Sequence, residues 1–199
     1  MHEHCLPTPH LANISFVTPR LAVGGDLSYD DDLAGQQVGE LVDLGVTHIV
    51  DARIEWNDAD LVAGLAPAVA YLHHGIDDAG QRVPDSWFEE AISWIGAALV
   101  DPDAIILTHC HMGINRGPSL GFAALLALGW EPIDALSAIT WVRPIAAIGY
   151  AEDALRWHHR RANTPPAARR ADQRAVARWR DANDIDVEAI IRQLRQAGG

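Results

Sequence analysis

The chain has 199 residues, 49% apolar and 21% charged, enough for one compact domain with its own core. Its formal charge of −12, from 15 basic and 27 acidic residues, argues against nonspecific attachment to nucleic acid or to an anionic membrane. No apolar run reaches the roughly 18 residues of a membrane helix, and Met1 to His10 is polar and histidine-rich, unlike a signal peptide, so a cytoplasmic protein is expected.

Taken in chain order, the pattern predicts alternating strands and helices. Residues 11–24 alternate apolar and polar and end in Gly24-Gly25, which reads as one or two short strands. The aspartates from Asp30 cap a helix running to Leu44, with Leu33, Val38, Leu41 and Val42 at helical spacing. Gly45 stops it, and Val46 to Val50 is a β-branched strand. Val69 to Ile76 gives another strand, followed by the loop Asp77-Asp78-Ala79-Gly80. Pro84 and Asp85 open a helix with Trp87, Phe88, Ala91, Ile92, Ile95 and Leu99 on one face. Ala104 to Leu107 has the length of a central buried strand. Pro118 to Leu128, apolar on nearly every side, suits a central helix; 132–142 and 150–161 read as two more. Thr164-Pro165-Pro166 is a hinge, and 167–197 read as helix, a break at Asn183-Asp184, then helix. The expected fold is α/β: a central, mostly parallel sheet of four to five strands flanked by helices. Residues 11–162 form the main domain and 163–199 a C-terminal helical extension.

Two cysteines, Cys5 and Cys110, cannot make a disulfide framework, so each is expected as a free thiol. Cys110 stands between a buried strand and a helix, in Thr108-His109-Cys110-His111-Met112-Gly113-Ile114-Asn115-Arg116-Gly117. A strand of a parallel sheet delivers such a residue to the carboxyl edge, where α/β folds place ligands. A short loop from strand to helix can turn successive backbone N–H groups inward and bind a phosphate, and that field favours thiolate over thiol. His111, Met112, Gly113, Ile114 and Asn115 supply the loop. Arg116 can grip two phosphate oxygens, and Gly113 permits the turn. Asp78, past a strand end, can protonate the leaving oxygen and then serve as base for water.

His109-Cys110-(five residues)-Arg116 resembles the signature of the protein tyrosine phosphatase superfamily, and its surroundings resemble the dual-specificity branch over roughly residues 13–160. Pro19, Leu21 and Gly24 match its Pro-x-Leu-x-x-Gly element, Leu41 to Ala52 its helix-Gly-strand unit, Ile76-Asp77-Asp78 its general-acid loop, and Val142-Arg143-Pro144 its later helix element. The resemblance implies a phosphatase working through a phosphocysteine, with Cys110 as nucleophile, Arg116 as phosphate binder and Asp78, rather than Asp77, as acid. It implies a phosphorylated protein or small phosphomonoester as substrate, and no metal or organic cofactor. His109 is expected to buttress the loop. Two features depart from the pattern. Gly117 stands where the family has Ser or Thr, whose hydroxyl helps the thiolate leave; Ser119 is the candidate replacement, and slow turnover by a phosphate-binding pseudophosphatase is the corresponding alternative. Asn115 resembles the RNA 5′-triphosphatase branch, which keeps an RNA or small-molecule phosphatase open.

The remaining features have plainer readings. All fifteen basic residues are arginine, which reads as the codon usage of a GC-rich, bacterial-type genome. Ten arginines from Arg156 to Arg195, interleaved with aspartates, read as a solvated helix face. His2, His4, Cys5 and His10 fit no standard zinc spacing. His73-His74 alternate across a strand, most of the seven tryptophans belong to the core, and Trp56 is placed to rim the cleft.

Overall fold

The computed structural model describes residues 6–197, so His2, His4 and Cys5 lie outside it. A five-stranded sheet has the order β1-β2-β5-β3-β4, with β1 (Ile14–Thr18), β2 (Leu21–Gly24), β3 (His48–Asp51), β4 (Ala70–His73) and β5 (Ile106–His109). β1 and β2 form an antiparallel hairpin; β2, β5, β3 and β4 run parallel. The helices are α1 (Asp31–Asp43), α2 (Ala59–Leu65), α3 (Asp85–Ala98), α4 (Arg116–Ala127), α5 (Pro132–Val142), α6 (Ala151–Arg161), α7 (Pro166–Ala182) and α8 (Val187–Ala197).

Side-chain alternation along the strands divides the core in two. Phe16, Ala22, Ile49 and Leu107 face α1 and α2, where Val38, Leu41 and Val62 meet them. Leu21, Val23, Val50 and Ile106 face the larger layer, with Phe88, Ile95, Leu120, Phe122 and Trp157. α4 is the hub of that layer and packs against β2, β5, α3, α5 and α6, which is why its sequence is apolar all round. α7 belongs to the same core through Val176 and touches α5 and α6.

The main differences from the sequence expectation have local causes. α2 buries only Val62, so it offers no apolar stripe to read. β5 begins at Ile106 rather than Ala104, and α4 begins at Arg116, because its first turn is the ligand-facing turn and not an apolar one. Leu33 and Val42 of α1 are exposed, and Ala34 and Gln37 are buried instead. The tryptophans split: Trp87 and Trp157 are core, whereas Trp130 and Trp141 are exposed.

β2, β3 and β5 end in register, with His109 opposite Gly24 and Asp51. The loops after β3, β4 and β5 therefore leave from one edge, and the candidate site forms there.

Candidate active site

Cys110 follows β5 directly and is 2% exposed at the floor of a cleft of about 1000 Å³. Its N–H donates to the Gly24 carbonyl at 3.2 Å. Beyond it, the loop carbonyls are held away from the cleft. His111 O accepts from Asp26 N (3.0 Å), Ile114 O accepts from Ala147 N (2.8 Å), and Met112 O and Gly113 O accept from the Arg143 guanidinium (2.9 and 2.6 Å). Among the described residues, the N–H groups of His111 to Arg116 donate to no protein acceptor. A peptide loop with its carbonyls bound outward presents its N–H groups inward, as an anion-binding nest at the start of α4.

Arg143 makes this possible. It is 4% exposed and pairs with no carboxylate among the described residues. Burial lowers its pKa to about 10, partly offset by the nearby Cys110 charge, so it stays cationic at neutral pH beneath the loop. Gly113 is required twice over: its φ is +65°, and a Cβ there would come 2.2 Å from Arg143 Nη2 and 2.5 Å from Gly24 C.

Arg116 has a side chain only 3% exposed. The Nη1–Nη2 end of its guanidinium grips Glu55 at 2.8 and 2.8 Å, and Nη1 also donates to Ile76 O at 3.0 Å. Nε is buried without a hydrogen-bond partner. The Nε–Nη2 edge is thus left for a bidentate anion. Burial opposes the Arg116 charge, but Glu55, Cys110 and Asp78 outweigh that and hold its pKa above the ordinary value. The same bond holds the Glu55 carboxyl down to about 2.

Glu55 and its support were not singled out in the sequence. Its loop is fixed by Arg53, a fully buried guanidinium that donates to Asp51 (2.8 and 2.7 Å) and Asp58 (2.6 Å), while Tyr71 OH donates to Asp51 at 2.5 Å. Asp51, Asp58 and His109 are also the one group among the described residues with metal-ligand atoms within 4.8 Å of one another. Arg53 already bridges both carboxylates, so the cation of that cluster is internal.

Asp78 lines the cleft, and its Oδ2 lies 3.5 Å from Arg116 Nε. Its Oδ1 accepts from Asn115 Nδ2 (2.6 Å) and from Tyr150 OH (3.0 Å). Burial, then Asp78, pushes the Tyr150 phenol up to about 12, so it remains a donor. Asp77 turns aside and accepts from Asp78 N. Ser119 does not line the cleft: its hydroxyl donates to Asn115 Oδ1 (3.3 Å) and accepts from Tyr150 N (3.2 Å). It orients Asn115 and Tyr150, the two groups that hold Asp78. A Cβ on Gly117 would lie 2.8 Å from the His109 Cα and C, so the start of α4 packs too closely on β5 for a side chain at this position.

His109 is buried behind the loop, 3.7 Å from Asp51, and burial lowers its pKa to about 4, so it is neutral. His111 is half-exposed on the cleft wall, bonded to Asp26 at 2.7 Å. Trp56 packs edge-on against His111, with ring centroids 5.2 Å apart, and so backs the rim. His73 and His74 donate to main-chain carbonyls of Arg53 and Trp87.

The chain is similar to known proteins in sequence and in fold. Human dual specificity protein phosphatase 13B is 30% identical over 118 residues, covering 58% of this chain and 57% of that protein, so the match spans little more than half of either. The crystal structure of human DUSP28 superposes with a TM-score of 0.59 at 21% identity, over 78% of this chain and 97% of that one. The chain has a dual-specificity phosphatase-like fold. PTPMT1, crystallised in complex with PI(5)P, shares that fold with a TM-score of 0.62 at 15% identity, over 74% of this chain and 96% of its own. No protein-family model matches the chain. Within the dual-specificity phosphatase fold, Cys110, the loop and Arg116 occupy one cleft with Asp78. No helix among the described residues is long and apolar enough to cross a membrane.

Proposed function

We propose that this chain is a cysteine-dependent phosphatase that hydrolyses phosphomonoesters, with phosphotyrosine, phosphoserine or phosphothreonine in proteins as substrate. The observation that carries the reading is the set of loop N–H groups without protein acceptors, in one cleft with Cys110 and with the buried Arg116 Nε, which has no hydrogen-bond partner. A phosphate dianion seated there accepts from the nest and from Nε and Nη2 of Arg116. The Cys110 thiolate attacks phosphorus as the bond to the ester oxygen breaks, and protonated Asp78 gives its proton to that oxygen. Asp78, now a carboxylate, takes a proton from the water that attacks the phosphocysteine, releasing inorganic phosphate and the thiolate. Residues 11–162 are the catalytic unit and 163–199 an extension packed on it. A reducing, cytoplasmic setting suits a mechanism that needs Cys110 unoxidised.

A test is turnover of p-nitrophenyl phosphate by the full chain and by Cys110→Ser, followed by a panel of phosphotyrosine peptide, phosphoserine peptide and triphosphate-ended RNA. Activity in the parent and a loss of at least about a thousandfold in the variant are expected. Undiminished activity in the variant contradicts the mechanism. Gly117 favours one second reading, a domain that captures phosphate and releases it slowly, because no hydroxyl follows the arginine and the packing at Gly117 leaves no room for one.

A further inference from the structure

The cleft around Cys110 has an unusual wall. Besides the loop and Asp78 it is lined by residues of the C-terminal extension, from the end of α7 to the start of α8, including Asp181, Asp184 and Ile185. That wall is firmly seated. Val176 is buried in the main core, Trp179 Nε1 donates to Ser137 Oγ at 3.2 Å, and Asp172 pairs with His159 at 2.9 Å.

The charges in the cleft are unequal. Glu55 is neutralised by Arg116, and Glu152 by Arg180 at 3.2 Å. Asp78 stands 3.5 Å from Arg116 Nε, whereas neither Asp181 nor Asp184 forms an ion pair among the described residues. The phosphate site lies in the same cleft, marked by the buried Arg116 Nε, which has no hydrogen-bond partner. A phosphate dianion entering there meets the nest and Arg116 at the floor but uncompensated carboxylates at the mouth. A substrate with further anionic groups next to its phosphate is repelled, whereas cationic side chains on either side of the phosphorylated residue pair with the rim. Ile185, Val187 and Ile191 on the same wall give the stems of such side chains apolar surface to lie on.

We propose that the C-terminal extension is a specificity wall that selects phosphopeptides with basic residues flanking the phosphorylated position, through Asp181 and Asp184. The proposal rests on the phosphatase reading above, and it goes beyond it by naming the substrate's neighbouring chemistry.

The experiment compares kcat/KM of the full chain for two phosphotyrosine peptides that differ only in flanking residues, arginine in one and glutamate in the other. Measurements are made at low and high salt, with p-nitrophenyl phosphate alongside. A preference for the arginine peptide of roughly tenfold or more at low salt, shrinking at high salt, is expected. The preference should fall toward unity in D181N/D184N and reverse in D181K/D184K; both positions are exposed, so these variants fold. Turnover of p-nitrophenyl phosphate with no discrimination between the peptides, or a preference unchanged in both double variants, overturns the wall and leaves the phosphatase reading standing. Absence of turnover on all three substrates overturns the phosphatase reading instead.

Discussion

Arg116 shows how much of the site is decided by which edge of a side chain is already engaged. Glu55 takes one fork of the guanidinium, and Nε with one Nη2 hydrogen is left toward Cys110 and Asp78. Cys110, Arg116 and Asp78 are legible in the sequence because their spacing is short or strand-anchored. Glu55 is not, and Val142-Arg143-Pro144 shows as a matched element without its role: Glu55 lies 61 residues from its partner Arg116, and Arg143 lies 30 from the carbonyl it holds at Gly113, so only the folded sheet edge brings them together. Asp78 is held by Asn115 and Tyr150 and lines the cleft, where the proposed acid has to stand. Asp78→Asn should therefore slow hydrolysis of an alkyl or serine phosphate on the order of a hundredfold. A substrate with a good leaving group, such as p-nitrophenyl phosphate, should lose far less. Equal losses on the two substrates would move the acid role away from Asp78.

At the scale of elements, the contact between β5 and the first turn of α4 governs the chemistry. Helix and strand approach so closely that Gly117 has no room for a Cβ, and the family's hydroxyl at that place is excluded by packing. The notion that Ser119 replaces it fails for a geometric reason, since its hydroxyl is already engaged by Asn115 and Tyr150, away from the cleft. Gly117→Ser should consequently behave as an overpacking change. It should reduce unfolding stability by about 1–3 kcal/mol in urea, with no gain in turnover. A variant as stable as the parent, with faster turnover, would mean the helix yields and the hydroxyl works. Strands and long helices were readable here from period and length, whereas α2 was not, because a short helix burying only Val62 carries no period.

For the molecule as a whole, a buried polar spine joins the sheet to the site. Asp51, Arg53, Asp58, Tyr71 and His109 lie behind the loop, fully or partly buried, and no pattern in the sequence announces them because their pairing is tertiary. The overall α/β order was legible, since strand and helix signals alternate, and a mostly parallel sheet follows from that alternation. The spine has a pH consequence. Burial lowers the His109 pKa to about 4 from 6.5, so the unfolded chain binds the extra proton first. Stability from this group is present above pH 6.5 and is lost as pH falls through that window toward 4. The loss should be at most about 3 kcal/mol. Urea unfolding across the window should show that decline, and His109→Asn should flatten it; equal slopes in parent and variant would contradict the assignment.

The central claim is that Cys110 itself becomes phosphorylated during turnover. With no hydroxyl after Arg116 to speed thiolate departure, the intermediate should accumulate during turnover of p-nitrophenyl phosphate and survive a rapid alkaline, denaturing quench. Mass spectrometry of the digested enzyme should find one phosphoryl group on the peptide containing Cys110, and none in Cys110→Ser. Steady turnover with that peptide unmodified, or with the phosphoryl group on another residue, would contradict the account.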